Sequence, residues 1–267
     1  PLRFDKINYI RKINQIKDIE NFYPIFVIGL PRCGSTLIET VISSGLDNVQ
    51  NLGETNLVNW AFLNINKNLF ENSNNRNKKD VNLSDTADRL ITALKNLNIK
   101  TNNHGKYVFS EKSLENFYYI DLLLEIFPNA KFINPYRNLF DNTCAIYKQF
   151  LSNISWSHSI ENILIYIDNY LKIINYFKKK YPNKILSISL KDFTSNPKKL
   201  AMQIYNFCNL EWTEKCLDFY KRDDLFINTA SNNQIRSSIK KYDSSKYKVY
   251  DDKFKTYFDK YNWIKNN

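Results

Sequence analysis

Two rhythms of apolar residues alternate along this chain: short unbroken runs, and longer stretches with apolar positions every three or four residues. The first is the mark of a buried strand and the second of an amphipathic helix. Residues 25–28 form an apolar run that stops at Gly29. The chain then passes Pro31 and Arg32 to Gly34-Ser35-Thr36, where a helix opens with Leu37, Ile38, Val41 and Ile42 on its inner side. A short apolar helix is expected around Trp60, and Ser84 or Asp85 is placed to cap a helix carrying Leu90, Leu94 and Leu97. Tyr107-Val108-Phe109 reads as a strand ending at Ser110-Glu111-Lys112, and residues 116–127 as a helix. Pro128-Asn129 turns the chain into a strand at 131–134, which ends in Pro135-Tyr136-Arg137. Helices at 138–151 and 159–180, a strand at 185–190 and a helix at 197–209 complete the pattern. Ile7, Ile10, Ile13 and Ile16 predict a helical lead-in within residues 1–22, and the polar run 71–80 a surface loop.

Strands that alternate with helices predict an α/β fold, a parallel sheet of about four or five strands with helical cover. Open parallel sheets bind ligands beyond the C-terminal ends of their strands. The chemically informative clusters, Arg32–Thr36, Lys112 and Arg137, all fall at such ends. The first follows a strand and opens a helix, an arrangement that cradles phosphate or sulfate with exposed N–H groups and the helix dipole. Its spacing is that of a nucleoside-triphosphate loop, but Ser35 stands where the lysine of that loop belongs. An anion other than ATP is the expected ligand.

Composition adjusts this picture at a few points. The 267 residues are 43% hydrophobic and 15% aromatic, enough to bury a substantial core as one large α/β unit or two small ones, which excludes a disordered chain. The net charge of +11 suits an anionic ligand, although Lys-, Asn- and Ile-rich usage also follows from AT-rich coding. Four cysteines (33, 144, 208 and 216) form no CxxC pair, and with only two histidines they argue against a zinc site. Reduced thiols in a cytoplasmic protein are expected, with a Cys208–Cys216 pair as the alternative in an oxidising compartment. No run of 18 apolar residues or signal peptide is present in the chain that begins at Pro1, and whether a segment precedes it stays open.

Six blocks carry a family resemblance: PRCGSTLIETVISS, LGET, EKSLENF, FPNAKFINPYRNLFDNTCAIYKQF, SLKDFTSNP and TASNNQIRSSIKKYDSSKYKVY. In their order and spacing, from about residue 23 to 248, the chain resembles sulfotransferases that use 3′-phosphoadenosine 5′-phosphosulfate. It is most similar to the group of protein-tyrosine and tetratricopeptide-linked bacterial sulfotransferases. The resemblance implies a single P-loop-containing, three-layer α/β/α domain over 1–267, with a variable helical and loop insertion at 60–106. It also implies adenosine 3′,5′-bisphosphate as product and a hydroxyl-bearing acceptor: a peptide tyrosine, carbohydrate, lipid or small molecule. Similarity near Glu54, Ser231 and Lys246 tilts the expectation toward a peptide or phenolic hydroxyl. A sulfuryl group carries less charge than a terminal phosphate, so no metal is required.

By the same resemblance, Arg32 lies near the transferred sulfuryl group, and Cys33, Gly34, Ser35 and Thr36 hold the 5′-phosphate. Glu54 matches the general base and Lys112 a lysine that neutralises charge on the leaving side. Arg137 matches the arginine on the 3′-phosphate, and Ser231 and Lys246 a serine and a lysine that contact the donor; Arg236 is a further candidate. Two positions depart from the pattern. Ala145 stands where relatives carry a serine on the 3′-phosphate, with Thr143, Cys144 or Tyr147 as possible substitutes, and Leu190 stands where a tyrosine often does. Two other readings remain: a kinase or other phosphotransferase of the same loop class, and a noncatalytic basic module binding nucleic acid or a sulfated polymer.

Overall fold

The computed structural model describes residues 9–10, 19–45, 49–63, 81–102, 104–149, 151–222, 237–243, 245–257 and 259–264. Strands β1 (Tyr9–Ile10), β2 (Phe22–Val27), β3 (Gln50–Asn51), β4 (Val81–Asn82), β5 (Tyr107–Glu111), β6 (Lys131–Tyr136) and β7 (Ile185–Ser189) follow one another along the chain. Five of them make a sheet of order β3-β5-β2-β6-β7, every pair parallel. The fold is therefore α/β with a parallel central sheet, as the alternating pattern predicts.

Strand β2 lies at the centre, and the period-two alternation of its side chains divides the core. Phe22 and Phe26 join a cluster with Phe117, Phe127 and Phe132 on one side. Ile25 and Val27 join Ile38, Val41, Phe193 and Tyr205 on the other. Helices α3 (Leu83–Asn96), α4 (Ile120–Ile126) and α6 (Ile160–Lys180) cover the first face, whereas α1 (Ser35–Ser43), α7 (Leu190–Ser195) and α8 (Pro197–Cys208) cover the second. A strand buried on both faces reads as a continuous apolar run, which is why 25–28 is legible in the sequence.

Pro24 sits inside this central strand, paired with Phe109, a place where proline usually breaks a ladder. Its tolerance follows from register. The Ile28 N–H donates to the Ile133 carbonyl at 2.9 Å, so backbone groups of the same parity, Pro24 included, face β6. Pairing with β6 begins only at Ile25. The missing N–H therefore removes no ladder bond.

Several boundaries differ from the expected ones. Tyr9 and Ile10 are extended and pair in parallel with Val81 and Asn82, so the lead-in helix does not run through them; its other positions lie outside the described residues. Long-range pairing overrides the local apolar spacing there. Helix α3 starts at Leu83, which puts Ser84 and Asp85 in its first turn rather than at its cap. The helix expected at 116–127 divides into a 3₁₀ segment, Leu114–Tyr119, and α4. Strand β7 ends at Ser189, whose hydroxyl accepts from the Asp192 N–H and starts α7, so Leu190 is helical rather than extended. The Ser189-x-x-Asp192 spacing is a capping signal that could have placed this boundary. Helix α2, residues 57–63, is the one expected around Trp60, and the loop at 71–80 lies outside the described residues. All four cysteines carry free thiols, Cys208 and Cys216 included.

Candidate active site

The loop that leaves β2 is shaped by what it must avoid. At Gly34 (φ 94°), a Cβ would lie 2.7 Å from Leu190 Cδ1, and the residue caps α1 in a left-handed conformation. Only glycine fits both demands. Arg32 is also left-handed, at φ 66°, a conformation that costs a residue with a side chain about 1–3 kcal/mol. Gly34 offers no capping side chain, so the amides of the first turn of α1 and the positive end of its dipole face the mouth of the loop. Asn142 of helix α5 (Leu139–Gln149) fastens the loop by donating to the Pro31 carbonyl at 2.8 Å. Burial pushes the Cys33 thiol up to about 11, so near neutrality it is protonated and not poised as a nucleophile.

Arg137, just past β6, is brought to the same loop. Its Nη1 donates to the Arg32 carbonyl at 3.4 Å, and its Nε to the Tyr242 hydroxyl at 3.3 Å. Its Nη2 lies 3.8 Å from Asp141 Oδ2, and its guanidinium sits 5.1 Å from the Tyr242 ring centre and 5.5 Å from that of Tyr247. The Tyr242 hydroxyl in turn donates to Asp141. Lys246 lies 5.5 Å from the Tyr247 ring centre, which brings the C-terminal lysine to the same aromatic group. The guanidinium of Arg32 is held below its ordinary range, mainly by burial, with Tyr247 opposing and the charge of Arg137 adding to the effect. Two partly desolvated arginines thus converge beside a helix N-terminus.

The second half of the site is built at the ends of β3 and β5. The Leu52 N–H donates to the Ser110 carbonyl at 2.9 Å and the Lys112 N–H to the Gly53 carbonyl at 2.8 Å, which lays residues 52–56 along the end of β5. Glu111 locks them there. Its carboxylate accepts from the Thr55 N–H at 3.2 Å, the Thr55 hydroxyl at 2.8 Å, the Ser113 N–H at 3.1 Å, Asn116 Nδ2 at 2.5 Å and the Ser113 hydroxyl. Burial raises the Glu111 carboxyl above its ordinary value even against these donors. Lys112 is fully buried, and its Nζ donates to Glu54 Oε1 at 2.5 Å. The Glu54 side chain is 52% exposed, so one oxygen faces the cation while the carboxylate stays open to solvent. On the inner side of the same ammonium, Glu39 Oε2 of α1 lies at 3.9 Å. The Cys33 thiol feels the charge of Lys112, which places this cluster against the loop.

Residues 24–214 match the sulfotransferase family. The chain belongs to that family. An uncharacterised protein of Aquifex aeolicus (strain VF5) is 27% identical over 239 residues; these are 85% of this chain but 31% of the relative, so the chain spans less than a third of that protein's length. The sulfotransferase domain of the Synechococcus PCC 7002 olefin synthase has the same fold, with a TM-score of 0.54 at 17% identity over 84% of this chain and 86% of that one. The sulfotransferase domain from the curacin biosynthetic pathway gives 0.51 at 15% identity, covering 81% and 83%.

For a sulfotransferase, the arrangement gathers Arg32, Cys33, Gly34, Ser35, Thr36 and Arg137 around one loop, with Glu54 and Lys112 beside it and Lys246 against the Tyr247 ring. Ser231, with Gln234 and Arg236, lies outside the described residues. The two departures have physical accounts. Leu190 packs its methyl groups onto Gly34 and supports the loop from below. Ala145 is buried with Cys144, Tyr247 and Phe254, while the Thr143 hydroxyl is spent on the Leu139 carbonyl and Tyr147 is half exposed. The hydroxyl that reaches Arg137 is that of Tyr242. Sequence reasoning passed over Glu39, Glu111, Asp141, Asn142 and Tyr242. Of these, Glu39 left a signal, a charge inside the apolar run Leu37-Ile38-Glu39-Thr40-Val41-Ile42. Among the described residues no helix is long and apolar enough to cross a membrane, and no group of three His, Cys, Asp or Glu side chains is arranged to hold a metal ion.

Proposed function

We propose that this chain transfers a sulfuryl group from 3′-phosphoadenosine 5′-phosphosulfate to a hydroxyl acceptor by in-line displacement. The observation that carries the reading is the half-exposed Glu54 carboxylate held 2.5 Å from a buried lysine, next to an arginine-flanked helix N-terminus. A general base must reach the acceptor hydroxyl, and Glu54 combines solvent access with a fixed position. It removes the proton, the acceptor oxygen bonds to sulfur, and the bond from sulfur to the bridging oxygen breaks with its electron pair on that oxygen. Arg32 and Lys112 face the charge that spreads over the sulfuryl and bridging oxygens, which is where fixed charges accelerate such a transfer. The first turn of α1 with Cys33, Gly34, Ser35 and Thr36 holds the 5′-phosphate, and Arg137, Tyr242 and Lys246 the 3′-phosphate. Ser231 belongs to the donor site by resemblance alone.

Incubation with labelled donor and a panel of phenolic, sugar and lipid hydroxyls tests this directly, with bisphosphate release and label transfer as the readout. Tighter binding of magnesium–ATP than of adenosine 3′,5′-bisphosphate by calorimetry would instead make the chain a phosphotransferase. Binding to a polyanion with a steep salt dependence and no donor affinity would make it a noncatalytic module.

A further inference from the structure

Two buried carboxylates flank Lys112, and they are satisfied in opposite ways. Glu111 accepts from five donors on three residues. Glu39 is 2% exposed, and its Oε1 has no hydrogen-bond partner among the described residues, while Oε2 stands 3.9 Å from the Lys112 ammonium. A carboxylate buried this poorly solvated is costly to the fold unless it is paired or takes up a proton. The ammonium it faces is equally dry, since the Lys112 side chain is 1% exposed.

The reading of Glu54 as general base, on which this inference rests, creates a problem of charge. Once Glu54 has taken the acceptor's proton it is neutral, and the buried ammonium loses its partner at 2.5 Å. An uncompensated buried charge is strongly unfavourable. We propose that Glu39 is a positioning residue that takes over as counter-ion of Lys112 while Glu54 is protonated, and so keeps the ammonium charged beside the glycine loop during transfer. Glu39 gains and loses no proton in this step. The proton passes from acceptor to Glu54, and the electron pair of the broken S–O bond stays on the leaving phosphate oxygen.

Glu39 must be ionised to act in this way. The groups that face it are Lys112 and Glu111 from the end of β5, and Glu54 with the Gly53 amide from the adjoining loop. Burial raises its carboxyl to about 7, Lys112 opposes the rise, and Glu111 and Glu54 add to it. Turnover is therefore expected to climb with pH through neutrality as Glu39 ionises.

Kinetics of Glu39→Gln in the full chain test the proposal. The expected result is a kcat lower by roughly 10- to 100-fold, unchanged acceptor KM and bisphosphate affinity, and loss of the rise in kcat through neutral pH. Wild-type kcat with a wild-type pH profile would overturn it. A second measurement does not depend on turnover. In protein with isotopically labelled lysine nitrogens, the Lys112 Nζ resonance, identified by its absence from Lys112→Met, is expected to move through neutral pH as Glu39 ionises in wild type and to lose that movement in Glu39→Gln. The same pH response of the Lys112 resonance in both proteins overturns the pairing. Glu39→Asp keeps a carboxylate drawn back by one methylene, so it is expected to retain the pH-dependent rise at reduced kcat. Equal loss of bisphosphate binding and kcat in both variants would assign Glu39 to folding alone and also overturn the proposal. A wild-type chain that releases no bisphosphate with any acceptor removes the sulfuryl-transfer reading, while the pH response of the Lys112 resonance still decides the pairing.

Discussion

The arginine-lined loop and the glutamate–lysine cluster lie on the same sheet edge, yet they handle buried charge differently. Around Arg137, the charge is spread over a carbonyl, a hydroxyl, a carboxylate and two aromatic faces. Among the described residues its one charge-paired partner, Asp141, stands at 3.8 Å. Such a guanidinium can take a phosphate without first breaking a tight ion pair. Around Lys112, one tight contact to Glu54 at 2.5 Å is set against a loose one to Glu39 at 3.9 Å. Binding wants diffuse, exchangeable partners, whereas proton transfer wants one close pair and a reserve. The two halves differ in the way those tasks differ.

The largest effect expected from breaking the contrast is at Glu54. Glu54→Ala should lower kcat by about 10²- to 10⁴-fold, the usual contribution of a positioned base, and leave bisphosphate binding intact by calorimetry. Retained turnover would remove Glu54 from the mechanism. Next comes Glu111, which only holds the cluster together. Glu111→Ala strands five donors and should cost about 3 kcal/mol of stability in denaturant unfolding, lowering activity and stability together. A stable but inactive variant would move Glu111 into the chemistry.

Glu39 should show itself in how stability depends on pH. Its folded-state carboxyl is raised from 4.5 to about 7, so between those values the folded chain holds more protons than the unfolded one. Its contribution to stability therefore falls as pH rises across that window and is constant above it. Glu39→Gln, which cannot ionise, should gain about 3 kcal/mol over wild type as pH rises from 4.5 to 7, because a tenfold change in proton affinity corresponds to about 1.4 kcal/mol. Parallel stability curves for the two proteins would contradict the burial argument. The smallest effect is expected at Tyr242. Tyr242→Phe should weaken bisphosphate binding by about 1 kcal/mol, a five-fold rise in Kd at about 25 °C, with kcat at saturating donor unchanged.

The same contrast explains what can be read from the chain alone. The glycine loop itself lies within one stretch of chain: an apolar run, Gly29, Gly34 and a helix start. Local patterning marks such a unit because strand period, glycine conformation and helix period are properties of neighbouring residues. Lys112 is legible as a strand end but not as a buried cation, since its burial depends on Glu54 and Glu39, brought to it by strand pairing. Tyr242 is hard to single out for a similar reason: it reaches Arg137 across 105 residues, and within its block nothing sets it apart from the neighbouring tyrosines. The lead-in helix fails at Tyr9 and Ile10 because a spacing of three cannot report a partner at Val81 and Asn82.

By itself, the sequence determined that this chain alternates strands with helices and carries a glycine-bounded strand-to-helix loop without the lysine of a nucleotide triphosphatase. Those features follow from nearest-neighbour geometry, and Ser35 simply stands where that lysine would be. The tertiary structure alone decided which charges meet. Parallel pairing of β2 with β5, and of β3 with β5, sets the end of α1, the Glu54 loop and Lys112 side by side. Only in that low-dielectric junction do three glutamates and one lysine acquire different roles, because burial, not residue type, sets what each charge costs.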